Sequence, residues 1–347
     1  MRPFLLLTLA GLLCATAASA GRLALAPYYA SNPHDDYVLG PALVLRGEHD
    51  RGALSLGYSV TQHQPRGHLD YQNDRAFGPR LGLDLHLFHE VQPRYDVLPY
   101  LETGLYEGHT GGTAGVFYRA RAGQLAIAAL TAEKLWAMPA RSNLFPTASD
   151  QIRSYSAAYR ADTRDDPLDP RAGERLQLSA THAVRAFGGT RAYLAARASW
   201  SRYRGIGEAG AFASRLHAAA TGGRPPEQRR LWLPGEGVRG YDLVTNAGNL
   251  LGVANAEVRL PILSGSAFPA GSLGTVKHVQ LAAFADAGLV RLDGRTWVAR
   301  AGIGAGLRAP LVAAGSIPMV VRLDVAHGLT RGGTLNSYLA LTAPELF

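Results

Sequence analysis

Cysteine is all but missing from this chain of 347 residues, and the single one, Cys14, sits in what reads as a leader. Arg2 precedes an apolar run from Phe4 to Leu13, and Ala18-Ser19-Ala20 then supplies small residues for cleavage, the pattern of a secretory signal. Residues 1–20 are therefore expected to be a signal peptide and 21–347 one mature domain beginning at Gly21. Leu13 stands where lipid attachment at Cys14 wants a small residue, so a lipoprotein is not expected. Once Cys14 leaves, no disulfide can staple the fold and no thiolate can hold a metal.

Long hydrophobic runs are missing as well. Nothing after the leader approaches the roughly 18 consecutive apolar residues of a spanning helix, which excludes a helical membrane protein. Charge is sparse, at 18% of residues, and the net +8 comes from scattered arginines that form no basic run. Nucleic acid is therefore not an expected partner. The common signatures of chemistry are also absent: no G-x-S-x-G, no H-E-x-x-H, no phosphate-binding glycine loop, no Cys/His ligand spacing. No catalytic residue, metal or cofactor is assigned. His86, His89 and Glu90 could be drawn together as the site of an outer-membrane lipid hydrolase, but such a cluster is more often interfacial or lumen-lining.

What is present is glycine (40), tyrosine (15) and a period of two. From Leu250 to Ile262 one parity is apolar throughout, while Asn255, Glu257 and Arg259 share the other. Val279, Leu281, Ala283, Ala285, Ala287 and Leu289 likewise oppose Gln280, Phe284, Asp286 and Gly288. From Trp297 to Ala309 the apolar parity faces away from Arg300, Gly302, Gly304, Gly306 and Arg308, and Val321, Leu323 and Val325 face away from Arg322 and Asp324. A soluble antiparallel sheet would alternate too. The charge-free faces here, however, keep to spans near the 9–11 residues that cross a bilayer, recur along the chain, and follow an export signal. The expected fold is all-β: a transmembrane antiparallel β-barrel, with lipid against the outer face.

Sixteen candidate strands follow, at 37–46, 53–62, 66–75, 81–89, 97–106, 113–121, 124–137, 151–163, 175–187, 190–204, 213–222, 249–262, 279–290, 298–310, 318–329 and 334–347. An even count puts both ends of the wall on the periplasmic side. Strands 8 and 9 should then join in the periplasm through 164–174, and strands 11 and 12 outside through the long 223–249. Tyr155, Tyr159 and Trp200 suit an interfacial aromatic belt. Gly21 to Asp35 is too short for a further domain.

The long connection contains Leu-Trp-Leu-Pro-Gly-Glu-Gly-Val-Arg-Gly-Tyr-Asp at 231–242. Val238-Arg239-Gly240-Tyr241, taken with Phe284, Asp286 and Gly288, resembles the bacterial surface antigen superfamily of BamA-TamA-type barrel-assembly and two-partner-secretion proteins. Its members carry V-R-G-Y/F in the sixth external loop and F-x-D-x-G on strand 13. The resemblance implies that the loop folds back into the lumen and that Arg239 pairs with Asp286 as a lock. An arginine in a wet lumen gains from a two-oxygen carboxylate partner, and Gly237 and Gly240 let the backbone double back. Asp162, Arg164, Asp165, Pro170 and Gly173 look like the family's D-x-R-D…P-x-x-G periplasmic turn. Gly304, Gly306, Arg308 and Pro310 look like its strand 14, where small lumen residues leave space for the loop. Leu335, Leu339, Leu341, Ala343 and the final Phe347 share one parity, like the terminal signal by which barrels are recognised for insertion; Glu345 departs from that pattern.

Motifs carry the resemblance through 150–347, and strand pattern alone carries the earlier part. POTRA modules, which precede the barrel in family members with assembly roles, have no counterpart in the fewer than twenty mature residues before the first expected strand. The implied function is assistance in outer-membrane protein insertion or polypeptide translocation in a Gram-negative outer membrane. Its implied partners are client polypeptides and a separate periplasmic protein. The competing readings are a passive pore or structural barrel and, as an outlier, a lipid-modifying enzyme.

Overall fold

The computed structural model describes residues 23–32, 36–59, 64–93, 106–138, 149–207, 209–226, 229–233, 237–241, 247–263, 268–269, 275–292, 296–313 and 317–342. Alternating sequences of this kind bury one face and leave the other against an apolar surrounding, and here they build a single wall of sixteen long strands. These are β1 Leu23–Asn32, β2 Asp36–Arg46, β3 Asp50–Ser59, β4 Gln64–Asn73, β5 Leu81–Pro93, β6 Tyr106–Arg119, β7 Gln124–Met138 and β8 Asp150–Asp162. There follow β9 Gly173–Ala183, β10 Tyr193–Ile206, β11 Gly210–Gly223, β12 Leu250–Leu263, β13 Val279–Arg291, β14 Trp297–Ala313, β15 Ile317–Gly328 and β16 Leu335–Thr342. Each pairs antiparallel with the next, giving an all-β barrel wall. Among the described residues the edge strands β1 and β16 carry one ladder each, to β2 and β15.

The two faces separate as the alternation requires. Leu56, Leu87, Leu130, Leu216, Leu281 and Ile303 are exposed on the outside, where lipid replaces water. Glu133, Glu257, Asp286, Arg308 and Asp324 are buried on the lumen side. Tyr155, Tyr159 and Trp200 fall on the outer face by register, opposite Leu130, Leu178 and Leu176.

The expected count of sixteen is met, but with two compensating differences. Leu23–Asn32 is a strand, paired with β2 from Leu23↔Leu45 to Asn32↔Asp36. Its sequence, LALAPYYASN, is small or apolar on both parities and so carries no period-two contrast. Conversely, the strand expected at 97–106 lies outside the described residues except for Tyr106, and β5 pairs directly with β6 as far as Pro93↔Tyr106. Residues 94–105, the expected signal segment and Phe347 lie outside the described residues. From β7 onward the numbering is unchanged. The connection β8–β9 therefore stays on the rim of mostly short turns, and β11–β12 on the opposite one.

Candidate functional site: the clasped loop

Four neighbouring strands bring their lumen-facing residues into cross-strand rows. Asn255, Asp286, Gly302 and Gly328 make one row; Glu257, Phe284, Gly304 and Ala326 the next; Arg259, Ala282, Gly306 and Asp324 a third. Arg308 on β14 stands one row further, beside Gln280 and Arg322. Acids and arginines thus alternate over a patch on which the loop 224–249 lands.

Arg239 is the landing point. Its Nε donates to Asp286 Oδ2 at 2.7 Å and its Nη2 to Asp286 Oδ1 at 2.9 Å, a two-oxygen fork, while its own backbone N–H reaches Oδ2 at 3.2 Å. Its remaining terminal nitrogen, Nη1, donates to Asp324 Oδ2 at 2.9 Å and lies 3.7 Å from Glu257. The guanidinium carbon lies 3.4 Å from the Phe284 ring centroid, so the ring faces the cation from below. Asn255 ties the same group together, donating to Asp286 Oδ1 and to the Gly237 carbonyl at 2.7 Å each.

Beneath Arg239, Arg308 spans Glu257, at 2.7 Å from Nη2, and Asp324, which its Nη1 contacts. Arg259 reaches Glu257 at 2.7 Å. The lock is therefore a network rather than the single Arg239–Asp286 pair that the motifs suggested. Glu257, Asp324 and Arg308 were legible as lumen-facing charges. Their meeting was not, because it depends on register.

The motif residues have distinct physical tasks. Gly237 and Gly240 take φ of +124° and +90°, which side chains with a Cβ rarely adopt. Val238 and Tyr241 are buried with Leu231, Leu233, Leu251, Val253 and Val290 in an apolar cluster between the loop and the wall. The Tyr241 hydroxyl donates to the Ala301 carbonyl at 2.6 Å and accepts the Thr330 N–H at 3.0 Å. The Gly240 N–H donates to the Tyr338 hydroxyl at 2.9 Å. A Cβ at Gly288 would lie 2.7 Å from both Leu233 and Val238, so glycine there is room for the loop. Gly302 gives room to the Arg239 carbonyl in the same way. Gly304 and Gly306, expected to make space for the loop, instead accommodate the Phe284 ring and the Asp324 carboxylate.

A second anchor was not legible in the sequence. Arg229, earlier in the same loop, contacts Glu133 on β7, a buried acid with His109 at 4.0 Å. The loop is thus held at two separated places on the wall.

At the other rim, Asp162, Arg164, Asp165, Pro170 and Gly173 form the β8–β9 turn. Arg164 donates to Asp162 through Nε at 2.9 Å and Nη2 at 2.6 Å, and Asp165 accepts the N–H groups of Arg171 and Ala172 at 3.0 Å each. Burial opposes ionisation of Asp165, but those N–H donors outweigh it and hold its carboxyl below the usual range. Gly173 has φ +94°. The turn then reaches β13 and the residues just before it: Gln280 donates to Asp169 at 3.1 Å and Lys277 to Asp166 at 3.3 Å.

His86 and Glu90 face the lumen with Asp70 and His68, whereas His89 faces outward and contacts Thr110 at 2.7 Å. The three do not meet in one site. Among the described residues no group of three or more His, Cys, Asp or Glu could hold a metal ion.

The profile of the Omp85 superfamily domain matches residues 40–311, which include the loop motif, β13 and the β8–β9 turn. Among solved structures, the chain is similar to BamA from Haemophilus ducreyi lacking POTRA domains 1–3, with TM-score 0.68 at 12% identity, covering 93% of this chain and 71% of that one. CdiB from Escherichia coli is similar with TM-score 0.57 at 14% identity, covering 94% of this chain and 62% of that one. CdiB from Acinetobacter baumannii gives 0.50 at 12%, covering 92% and 59%. This chain thus spans less than two thirds of either CdiB. A search of curated proteins finds no match. The sixteen-stranded wall, the inserted loop and a profile match over most of the sequence agree: the chain belongs to the Omp85 superfamily.

Proposed function

We propose that this barrel assists the insertion of outer-membrane proteins, or the passage of polypeptides across that membrane, with the 224–249 loop as a releasable closure of its lumen. The observation that carries the reading is the Arg239 clasp. One arginine shared between two carboxylates on different strands, Asp286 and Asp324, fastens a loop through charge that a competing polypeptide or a shift of either strand can redistribute. The edge strands β1 and β16, each laddered on one side among the described residues, support it further, since edge backbone groups can pair with an incoming strand. Likeness to BamA and CdiB agrees with this reading. The membrane is the outer one, reached through a cleaved leader, and client delivery falls to a separate periplasmic partner.

The test is insertion of an unfolded eight-stranded outer-membrane barrel into liposomes. Vesicles holding this protein should insert it several-fold faster than empty ones, and Arg239→Ala should change that rate. Equal rates with and without the protein would remove the proposal. A passive pore is the second reading, favoured by the lumen-facing Asp70 and His86, whose side chains keep 56% and 37% exposure on the β4–β5 wall. It predicts steady ion conductance in planar bilayers and no effect on client insertion.

A further inference from the structure

The outer surface of β4 to β8 is not a uniform greasy wall. Two cross-strand rows, one through Leu87, Gly112 and Ala132 and the next through Leu85, Ala114 and Leu130, enclose an open groove of ≈ 530 Å³ whose floor is small residues and whose sides are leucines. Tyr155 closes one side, and Phe187, from the β9–β10 connection, lines the upper end. Phe187 is 90% exposed and held at φ +55°, a conformation that disfavours a bulky side chain, so the fold accepts strain to leave this ring over the groove.

Cations stand where the groove meets the long-loop rim. Arg153 lies opposite Ala132 and Lys134 opposite Gln151, so both project to the lipid side one row apart. Arg153 donates to the carbonyls of Ile152 at 2.9 Å and Glu133 at 3.4 Å, and to the Gln151 amide oxygen at 3.4 Å. Among the described residues neither cation has a carboxylate partner. The rows that carry them, through His89, Thr110 and Gln151 and through Leu69, Leu87 and Gly112, contain no acid. Two positive charges at the polar edge of a bilayer attract an anion, and the apolar trough below them fits a hydrocarbon tail.

We propose that this groove seats one phosphorylated lipid of the leaflet at the long-loop rim, its phosphate on Arg153 and Lys134 and an acyl chain lying over Gly112, Ala114 and Ala132. The seat differs from an ordinary interfacial belt in requiring both parts, charge and trough. It is independent of what the lumen does.

Native mass spectrometry of the detergent-purified full chain, titrated with bisphosphorylated lipid A and with its dephosphorylated form, tests this. Wild-type protein should retain one phosphorylated lipid, and the dephosphorylated form should bind at least tenfold more weakly. The Arg153→Gln/Lys134→Gln variant should lose retention about tenfold, and Ala132→Phe should lose it with both cations intact. Leu130→Ala, which opens a wall of the trough without crowding it, serves if Ala132→Phe does not fold. Arg202→Gln, on an exposed arginine at the other rim, should bind as wild type. Unchanged retention in the double variant, or equal loss in Arg202→Gln, would overturn the seat. So would displacement of the lipid by millimolar inorganic phosphate, or a dimer mass abolished by Ala132→Phe, which would make the groove a contact between copies.

Discussion

Replacing Arg239 with alanine removes the cation that, among the described residues, Asp286 and Asp324 share. Asp286 has no exposed side-chain surface and Arg239 only 15%, so the pair counts as buried, and losing one partner of such a pair costs about 3–5 kcal/mol. Two features favour the lower end. Asp286 keeps the Asn255 amide and the backbone N–H of residue 239, and Asp324 keeps Arg308. About 3 kcal/mol is expected for Arg239→Ala. Asp286→Ala should cost less, about 2 kcal/mol, the value of a charged hydrogen bond, because Arg239 retains Asp324 at 2.9 Å. The double variant should then lose about 3 kcal/mol rather than the sum, a coupling of about 2 kcal/mol. Urea unfolding in detergent, followed by tryptophan fluorescence and by heat-modifiable migration, reads this as a midpoint shift of about 1–3 M for Arg239→Ala at ordinary slopes. Single losses that add to within about 0.5 kcal/mol would mean that the two residues do not act on each other, and the clasp would be refuted.

Gly288→Leu should drive the loop off its seat by crowding Leu233 and Val238, at about 1–3 kcal/mol, with new protease cleavage within 224–249 and an intact barrel; a protected loop would contradict the packing argument. Because Arg229 holds the loop at Glu133 independently, Arg229→Ala and Arg239→Ala together should raise planar-bilayer conductance well beyond the sum of the single variants. Additive or unchanged conductance would argue against two anchors. At the other rim, the carboxyls of Asp165 and Asp166 are held below their ordinary range by backbone N–H donors, with Lys277 also favouring ionised Asp166. Their contribution is therefore whole above about pH 4 and drains as pH falls further. Hydrogen-exchange protection of the Arg171 and Ala172 amides, corrected for intrinsic rate, should fall between pH 6 and pH 3, and Asp165→Asn should show low protection at both.

The later half of the fold was the more readable because its two faces differ so strongly in chemistry. Along β13, Ala283, Ala285 and Ala287 alternate with Phe284, Asp286 and Gly288, so both strand and orientation follow from one line of sequence. In β1 the same alternation exists geometrically, but one parity carries Leu, Pro and Tyr and the other Ala and Tyr, so neither stands out as the polar one. The site divides along a similar line. Arg239 and Asp286 could be paired through their motifs. The sharing of Arg239 with Asp324, and of Arg308 between Glu257 and Asp324, depends on which residues stand opposite one another across β12 to β15, and no single strand encodes its register with a neighbour. Arg229 and Glu133 are further removed still, being 96 residues apart with no pattern joining them.

Strand β13 takes hold of both closures: Gln280 receives the turn from one rim, and Asp286 and Gly288 receive the loop from the other, about 20 Å along the same backbone. Because these three positions share a parity, sliding this strand by a single residue against its neighbours would turn every one of them toward hydrocarbon at once. Whatever tugs on either end of the barrel must therefore act through a common bolt.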